Sequence, residues 1–315
     1  MNTITDPVNK ELLFKGRTED DPRLGKFVSE GDASTPFALI GYTDDEGISL
    51  NNGRLGAHSA PNEIRKFLYK MSPNKNISGS FINDLGNLKK LSGIEERHQK
   101  ARGTVAEIHK LKAQRVISLG GGHDYGYVDG CGFLDALSDK NPIVINIDAH
   151  LDVRDLEFGP NSGTSFYRIR NEFPKAQIFQ IGMQDQCNSL HHFRWCEENQ
   201  ILVLRWNDLV NSTSKLSAML EFLGEELLKK RPAFLSIDMD AFSSAYAPGC
   251  SQVFPTGFAP DEILQFVEIL CYRFDVRHLG LYEVSPPFDL DGRTSKLAAL
   301  LAHKFLMSSV HTSDQ

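Results

Sequence analysis

Three short segments gather histidine with paired carboxylates: Gly120-Gly121-Gly122-His123-Asp124, Asp148-Ala149-His150-Leu151-Asp152 and Asp238-Met239-Asp240. Each alone has an ordinary explanation, because a histidine after glycines is commonly a turn residue and an aspartate at a strand end commonly caps the next helix. Together they do not. Converging carboxylates repel one another and resist desolvation unless cations neutralise them. His123, Asp148, His150, Asp152, Asp238 and Asp240 are therefore candidate metal ligands. They supply more donors than one tetrahedral zinc uses, and the mixture of Asp with His suits a pair of Mn-like ions sharing bridging carboxylates.

Elements that can bring these segments together are visible around them. Short apolar, β-branched runs recur at Phe37 to Tyr42, Arg115 to Leu119, Pro142 to Ile147, Gln177 to Ile181, Ile201 to Leu204, Ala233 to Ile237 and His278 to Tyr282. Such runs read as strands buried on both faces. Helical spacing predicts helices over Ala60 to Met71, Ile94 to Lys112, Ser214 to Lys230 and Asp261 to Phe274. The alternation implies an α/β fold with a doubly wound, mostly parallel sheet and helices on both faces. Ligands of such sheets sit beyond the carboxyl ends of the strands, where all three segments fall. If the extended conformation persists past Ile147, its period of two sets Asp148, His150 and Asp152 on one face; Asp238 and Asp240 follow the same rule.

Composition narrows the class. Of 315 residues, 41% are hydrophobic and 24% charged, and no Pro/Gly/Ser tract interrupts them, so a single domain over 1–315 is expected, with flexibility confined to an N-terminal segment and the C-terminal tail. A net charge of -7 argues against nucleic acid as a partner, which requires clustered basic residues, and favours a small molecule. No apolar stretch approaches the roughly 20 residues that span a bilayer, and the N-terminus lacks a signal core, so a soluble, cytoplasmic protein is expected. The five cysteines are an odd number without a Cys-x-x-Cys pair and read as buried small hydrophobes; Cys250, beside Gly249, is the one alternative nucleophile. His191-His192 is a poor metal site, because adjacent side chains diverge.

The three segments, in this order, resemble the ureohydrolase family of arginase, agmatinase and formimidoylglutamase. Gly53-Arg54-Leu55-Gly56-Ala57 with Ala60-Pro61 and Ile64-Arg65 is similar to the family's early loop, and Glu283-Val284-Ser285-Pro286 follows the last strand as expected. The resemblance covers nearly the whole chain and implies an arginase-like three-layer α/β/α fold with two Mn2+ per subunit. It places His123 and Asp152 on one ion and His150 and Asp240 on the other, with Asp148 and Asp238 bridging. It also implies a hydroxide nucleophile from bridging water, Asp240 as the group moving a proton to the departing nitrogen, and Glu283 orienting the substrate amidine. A homo-oligomer is expected on the same ground.

Two departures bear on the substrate. The third Asp of Asp-x-Asp-x-x-Asp-Pro is replaced, since Asp240 runs through Ala241-Phe242 into Ser243-Ser244. Ser162-Gly163-Thr164-Ser165-Phe166 lacks the histidine that arginase uses as a proton relay. Both features, with Ala247-Pro248-Gly249 and Gly16-Arg17-Thr18-Glu19-Asp20, resemble the formimidoylglutamase branch, which splits N-formimidoyl-L-glutamate into L-glutamate and formamide. Arg154 is then placed to grip a substrate carboxylate bidentately, with Ser162, Gly163 and Thr164 adding hydroxyl or backbone donors. Arg154 pairing with Asp155 is the competing reading. The alternative substrates are guanidino compounds such as guanidinobutyrate, guanidinopropionate, agmatine or arginine, releasing urea; a metal-binding protein without turnover is the remaining reading. The segments 158–165 and 243–257 are expected to shape specificity.

Overall fold

The computed structural model describes residues 4–91, 93–111 and 114–309. Its strands are β1 (Thr5–Asp6), β2 (Val28–Ser29), β3 (Phe37–Gly41), β4 (Ile82–Leu88), β5 (Arg115–Leu119), β6 (Ile143–Ile147), β7 (Gln177–Met183), β8 (Leu202–Arg205), β9 (Pro232–Asp238) and β10 (Asp275–Tyr282). The helices are α1 (Glu46–Leu50), α2 (Ala60–Leu68), α3 (Ile94–Leu111), α4 (Asp124–Leu137), α5 (Ser165–Glu172), α6 (Leu190–Glu198), α7 (Trp206–Asn211), α8 (Lys215–Leu223), α9 (Pro260–Arg273) and α10 (Arg293–Ser308). All strands join one sheet in the order β1-β4-β3-β5-β10-β9-β6-β7-β8, with β2 beside β4. Neighbours run parallel except β1 against β4.

The sheet is buried on both faces because its central strands carry apolar residues at successive positions. Ile117, Ile145, Leu235 and Leu279 pack towards α2, α9 and α10 in one cluster. Val116, Val144, Phe234 and Ile178 pack towards α3, α4, α5 and α6 in the other. This is the doubly wound arrangement that the alternation of runs predicts.

The structure differs from the sequence reading in several elements. β4 is unforeseen, since Asn83, Asp84, Gly86 and Asn87 interrupt its apolar pattern; Arg65 of α2 turns that polarity to use, its Nε and Nη2 donating to Asp84 at 2.8 and 2.9 Å with both side chains wholly buried. The helix expected over Ser214 to Lys230 stops at Gly224, whose φ of +52 leaves the helical region, and a 3-10 turn follows over Gly224–Leu228. β1, β2, α1, α4, α5, α6, α7 and α10 are additional. Lys112, the expected end of α3, lies outside the described residues, as do the chain's outermost ends.

Candidate metal centre

The four adjacent strands β5, β10, β9 and β6 deliver the chemistry from their carboxyl ends. After β5, Gly120 and Gly121 adopt φ of +74 and +78, and a Cβ on Gly120 would lie 2.8 Å from Pro61 Cδ. Only glycine accepts both conditions cheaply. The turn sets His123 at the start of α4 with its ring buried. Glu283 follows β10 with φ of +63, a conformation that a non-glycine residue holds only when its surroundings impose it.

The candidate ligands converge, but not by continued extension. The strand ends at Ile147; the His150 N–H donates to Asp148 Oδ1 at 2.7 Å, and Asp152 takes φ of +49. Likewise the Asp240 N–H donates to Asp238 Oδ1 at 2.8 Å within a 3-10 turn. Aspartate favours such turns because its side chain competes for neighbouring backbone donors. His123 Nδ1 then lies 3.0 Å from Asp148 Oδ2, 2.9 Å from Asp152 Oδ2 and 3.2 Å from Asp238 Oδ2. His150 Nδ1 lies 2.9 Å from Asp240 Oδ2 and 3.6 Å from Asp148 Oδ1. Two groups of donors emerge, His123-Asp148-Asp152 and Asp148-His150-Asp240, and Asp148 belongs to both.

These groups fit a pair of divalent ions. Ligands about 2.1 Å from an ion at right angles stand about 3.0 Å apart, the spacing seen around His123. His123 Nδ1 is buried and, despite those neighbours, has no properly directed hydrogen-bond partner. Burial favours neutral Asp152, and the charge of Asp148 adds to this, so its carboxyl is raised to about 6. Burial, then Asp240 and Asp148, raise Asp238 well above the ordinary range. Burial opposes charge on His123 too, but the close carboxylates of Asp148, Asp152 and Asp238 outweigh it and raise the imidazole well above its usual value. The cluster holds protons that a cation can replace.

A cleft of about 180 Å³ opens over these groups, lined also by Asn51, Gly53, Arg154, Ser162, Cys187, Ser251, Gln252 and Glu283. Glu283 Oε1 accepts the His123 N–H at 3.1 Å, while the buried Oε2 has no partner. Burial, with the charges of Asp240 and Asp124, pushes this carboxyl to about 8. Arg154 stands exposed at the rim, and among the described residues its guanidinium makes no hydrogen bond or ion pair, with Asp155 or otherwise. Ser162 accepts Asn51 Nδ2 at 3.1 Å and keeps its hydroxyl hydrogen to donate.

Thr164 and Gly163 are placed otherwise than expected. Thr164 is fully buried, its hydroxyl donating to Asn161 O at 2.7 Å and accepting from the Asn161 N–H at 3.1 Å, so it closes the turn and does not line the cleft. The Gly163 N–H is taken by Asn161 Oδ1 at 3.0 Å. Gly163 instead makes room, since a Cβ there would lie 2.9 Å from Arg154 Cδ. Cys250 is buried, and burial with the charges of Asp238 and Asp240 raises its thiol well above the usual range, which removes it as a nucleophile. His191 and His192 lie on α6, apart from both donor groups. Asn51 went unnoticed in the sequence because it carries no motif, and Cys187, read with the other cysteines as a buried small hydrophobe, is instead only partly buried and lines the cleft; Ser251 and Gln252 fall inside the segment expected to shape specificity.

A model of the arginase family matches residues 35–308. The chain belongs to the arginase family. Formimidoylglutamase of Lysinibacillus sphaericus (strain C3-41) is 30% identical to this arginase-family chain over 319 residues, covering 97% of each. Formimidoylglutamase of Macrococcus caseolyticus (strain JCSC5402) is 29% identical over 296 residues, covering 90% of this chain and 92% of that one. Among solved structures, formimidoylglutamase of Bacillus subtilis superposes with a TM-score of 0.84 at 24% identity, covering 93% of each chain. A variant of Trypanosoma cruzi formiminoglutamase with Mn2+2 gives a TM-score of 0.82 at 25% identity, covering 92% of this arginase-family chain and 98% of that one.

Proposed function

We propose that this chain hydrolyses N-formimidoyl-L-glutamate to L-glutamate and formamide, using two Mn2+ held by His123, Asp148, His150, Asp152, Asp238 and Asp240. The observation that carries the reading is the unpaired guanidinium of Arg154 on the rim of the cleft whose floor is the two donor groups sharing Asp148. A cationic grip beside a hydrolytic metal pair suits an amidine with acidic groups better than arginine or agmatine. The names of the relatives support the same choice.

When bound, such an ion pair polarises the amidine and lowers the pKa of water towards neutrality. The chain's own groups do the rest. Unpartnered Glu283 Oε2 accepts an amidine N–H and fixes the carbon to be attacked. Arg154 and the Ser162 hydroxyl hold the carboxylates at the far end. As water oxygen bonds to the amidine carbon and the bond to the glutamate nitrogen breaks, Asp240 carries the proton to that nitrogen. The reading includes a cytoplasmic homo-oligomer without nucleic-acid or membrane partners; among the described residues no helix is long and apolar enough to cross a membrane.

The test is an assay of Mn2+-loaded protein against N-formimidoyl-L-glutamate, guanidinobutyrate, guanidinopropionate, agmatine and arginine, measuring formamide and urea. Formamide from the first substrate alone is expected. Urea from any guanidino compound at a higher kcat/KM overturns the substrate assignment, and no turnover of any of them makes the chain a metal-binding protein.

A further inference from the structure

Beneath the centre, the sheet register lines Ser118, Gly280, Ser236, Asn146 and Gln180 side by side across β5, β10, β9, β6 and β7. All are buried, and the next row of the same layer is Val116, His278, Phe234, Val144 and Ile178, with Ser118 Oγ 2.9 Å from His278 Nε2. A polar row in such a layer costs stability unless each group is engaged. Ser236 Oγ lies 2.8 Å from His123 Nε2. Asn146 Nδ2 donates to Gln180 Oε1 at 2.7 Å and to Asp148 Oδ2 at 3.3 Å, and Gln180 Nε2 donates to Leu151 O at 3.1 Å, inside the loop that carries His150 and Asp152. Gly280 leaves space for the Tyr282 ring, since a Cβ there would lie 2.0 Å from the Tyr282 hydroxyl. That ring stacks on His123 with centroids 4.9 Å apart and planes 24° apart.

We infer that Ser236 is a positioning residue for the metal pair, setting the His123 tautomer from below while the Tyr282 ring holds the imidazole plane. The inference rests on the metal-binding part of the proposed function. A neutral imidazole keeps one hydrogen; with that hydrogen on Nε2 and donated to Ser236 Oγ, the Nδ1 lone pair faces Asp148, Asp152 and Asp238. Without the serine the hydrogen is free to sit on Nδ1, where it blocks ligation. The adjacent Asn146 acts in the same sense on Asp148, anchoring the oxygen that faces His123.

The test is titration of Mn2+ into metal-stripped full-length protein, followed by calorimetry and electron paramagnetic resonance, for the wild type, Ser236→Ala and Ser236→Thr. Two sites are expected in the wild type. Ser236→Ala is expected to weaken one site by about 10- to 100-fold, as loss of a partner behind a ligand commonly does, and to leave the other within about 3-fold. Its resonance spectrum then shifts from that of a coupled pair to that of isolated Mn2+, and Ser236→Thr, which keeps the hydroxyl, restores the pair. Wild-type affinities in Ser236→Ala overturn the inference alone. Equal weakening of both sites, with a lowered unfolding temperature of the metal-free protein and no rescue by threonine, shows a packing role and also overturns it. A wild type that takes up no Mn2+ overturns this inference and the metal-dependent reading together.

Discussion

His123 faces Asp148, Asp152 and Asp238 through a single ring nitrogen, so a proton on that nitrogen and a metal ion compete for one position. Burial works against this proton, but the three adjacent carboxylates raise the imidazole well above its usual value, and burial raises Asp152 to about 6. Metal binding needs both groups deprotonated, so each bound proton competes with the ion. Mn2+ affinity is expected to tighten as pH rises through about 6 and beyond, by up to about 10-fold per pH unit for each proton displaced, with proton release visible calorimetrically in buffers of different ionisation enthalpy. Affinity independent of pH would contradict this account. At the rim, Arg154→Ala removes a charge-assisted grip of about 1.5–3 kcal/mol, so the KM for N-formimidoyl-L-glutamate should rise about 10- to 100-fold while kcat changes little. An amidine without carboxylates should show the same KM with both proteins. An unchanged KM for the dicarboxylate would remove Arg154 from substrate binding. These residues were legible in the sequence because metal ligands occur in dense motifs; Ser236 and Asn146 were not, since one hydroxyl or amide inside an apolar run looks like any other.

The elements are held around the centre by buried polar contacts that hydrophobic periodicity does not encode. Asp129 of α4 is fully buried, accepting the hydroxyls of Tyr42 at the end of β3 and Tyr282 of β10, each at 2.5 Å. Burial raises its carboxyl to about 7 even though those hydrogen bonds pull it down. Because the folded state holds this proton more tightly than the unfolded chain does, its contribution is complete below about pH 4 and is lost as pH rises through about 7, amounting to about 4 kcal/mol at most. Asp129→Asn should therefore flatten the fall in stability between those pH values, measured by denaturant unfolding in chelator. An unaltered slope would mean that Asp129 titrates normally. The same α4 shows why some elements were missed. Gly126, Gly130 and Gly132 make it a poor helix by propensity, yet they let it approach closely: a Cβ on Gly126 would stand 2.8 Å from His123 Cδ2, and one on Gly132 2.8 Å from Arg102 O. Buried all round, α4 has no polar face to reveal its period. β5, β6 and β9 were legible for the opposite reason, each being a short, mainly apolar run with a single polar residue inside it and turn or polar residues at its ends.

At the scale of the whole molecule, the centre ties together the carboxyl ends of the four middle strands, so occupancy and global stability are one equilibrium. Ions that bind only the folded state stabilise it by about 4 kcal/mol at a thousandfold excess over Kd, and calorimetry should show an unfolding temperature that rises with Mn2+ and falls with chelator. Asp238 makes this prediction sharper because its two effects have opposite signs. Burial and the nearby charges of Asp240 and Asp148 disfavour its ionised form, so the metal-free fold is strained by it increasingly as pH rises. Asp238→Asn keeps the oxygen that accepts the Asp240 N–H while removing the charge. The metal-free variant should then unfold at a higher temperature than the metal-free wild type, by an amount equivalent to roughly 1 kcal/mol that grows with pH, while most of the Mn2+-dependent stabilisation disappears. A variant less stable than wild type without metal would show that Asp238 supports the fold through its charge; one that retained the full Mn2+ response would show that it is not a ligand. The expected crossing, a residue that weakens the empty fold and strengthens the loaded one, follows from collecting four carboxylates at the end of a buried sheet where only cations make them favourable.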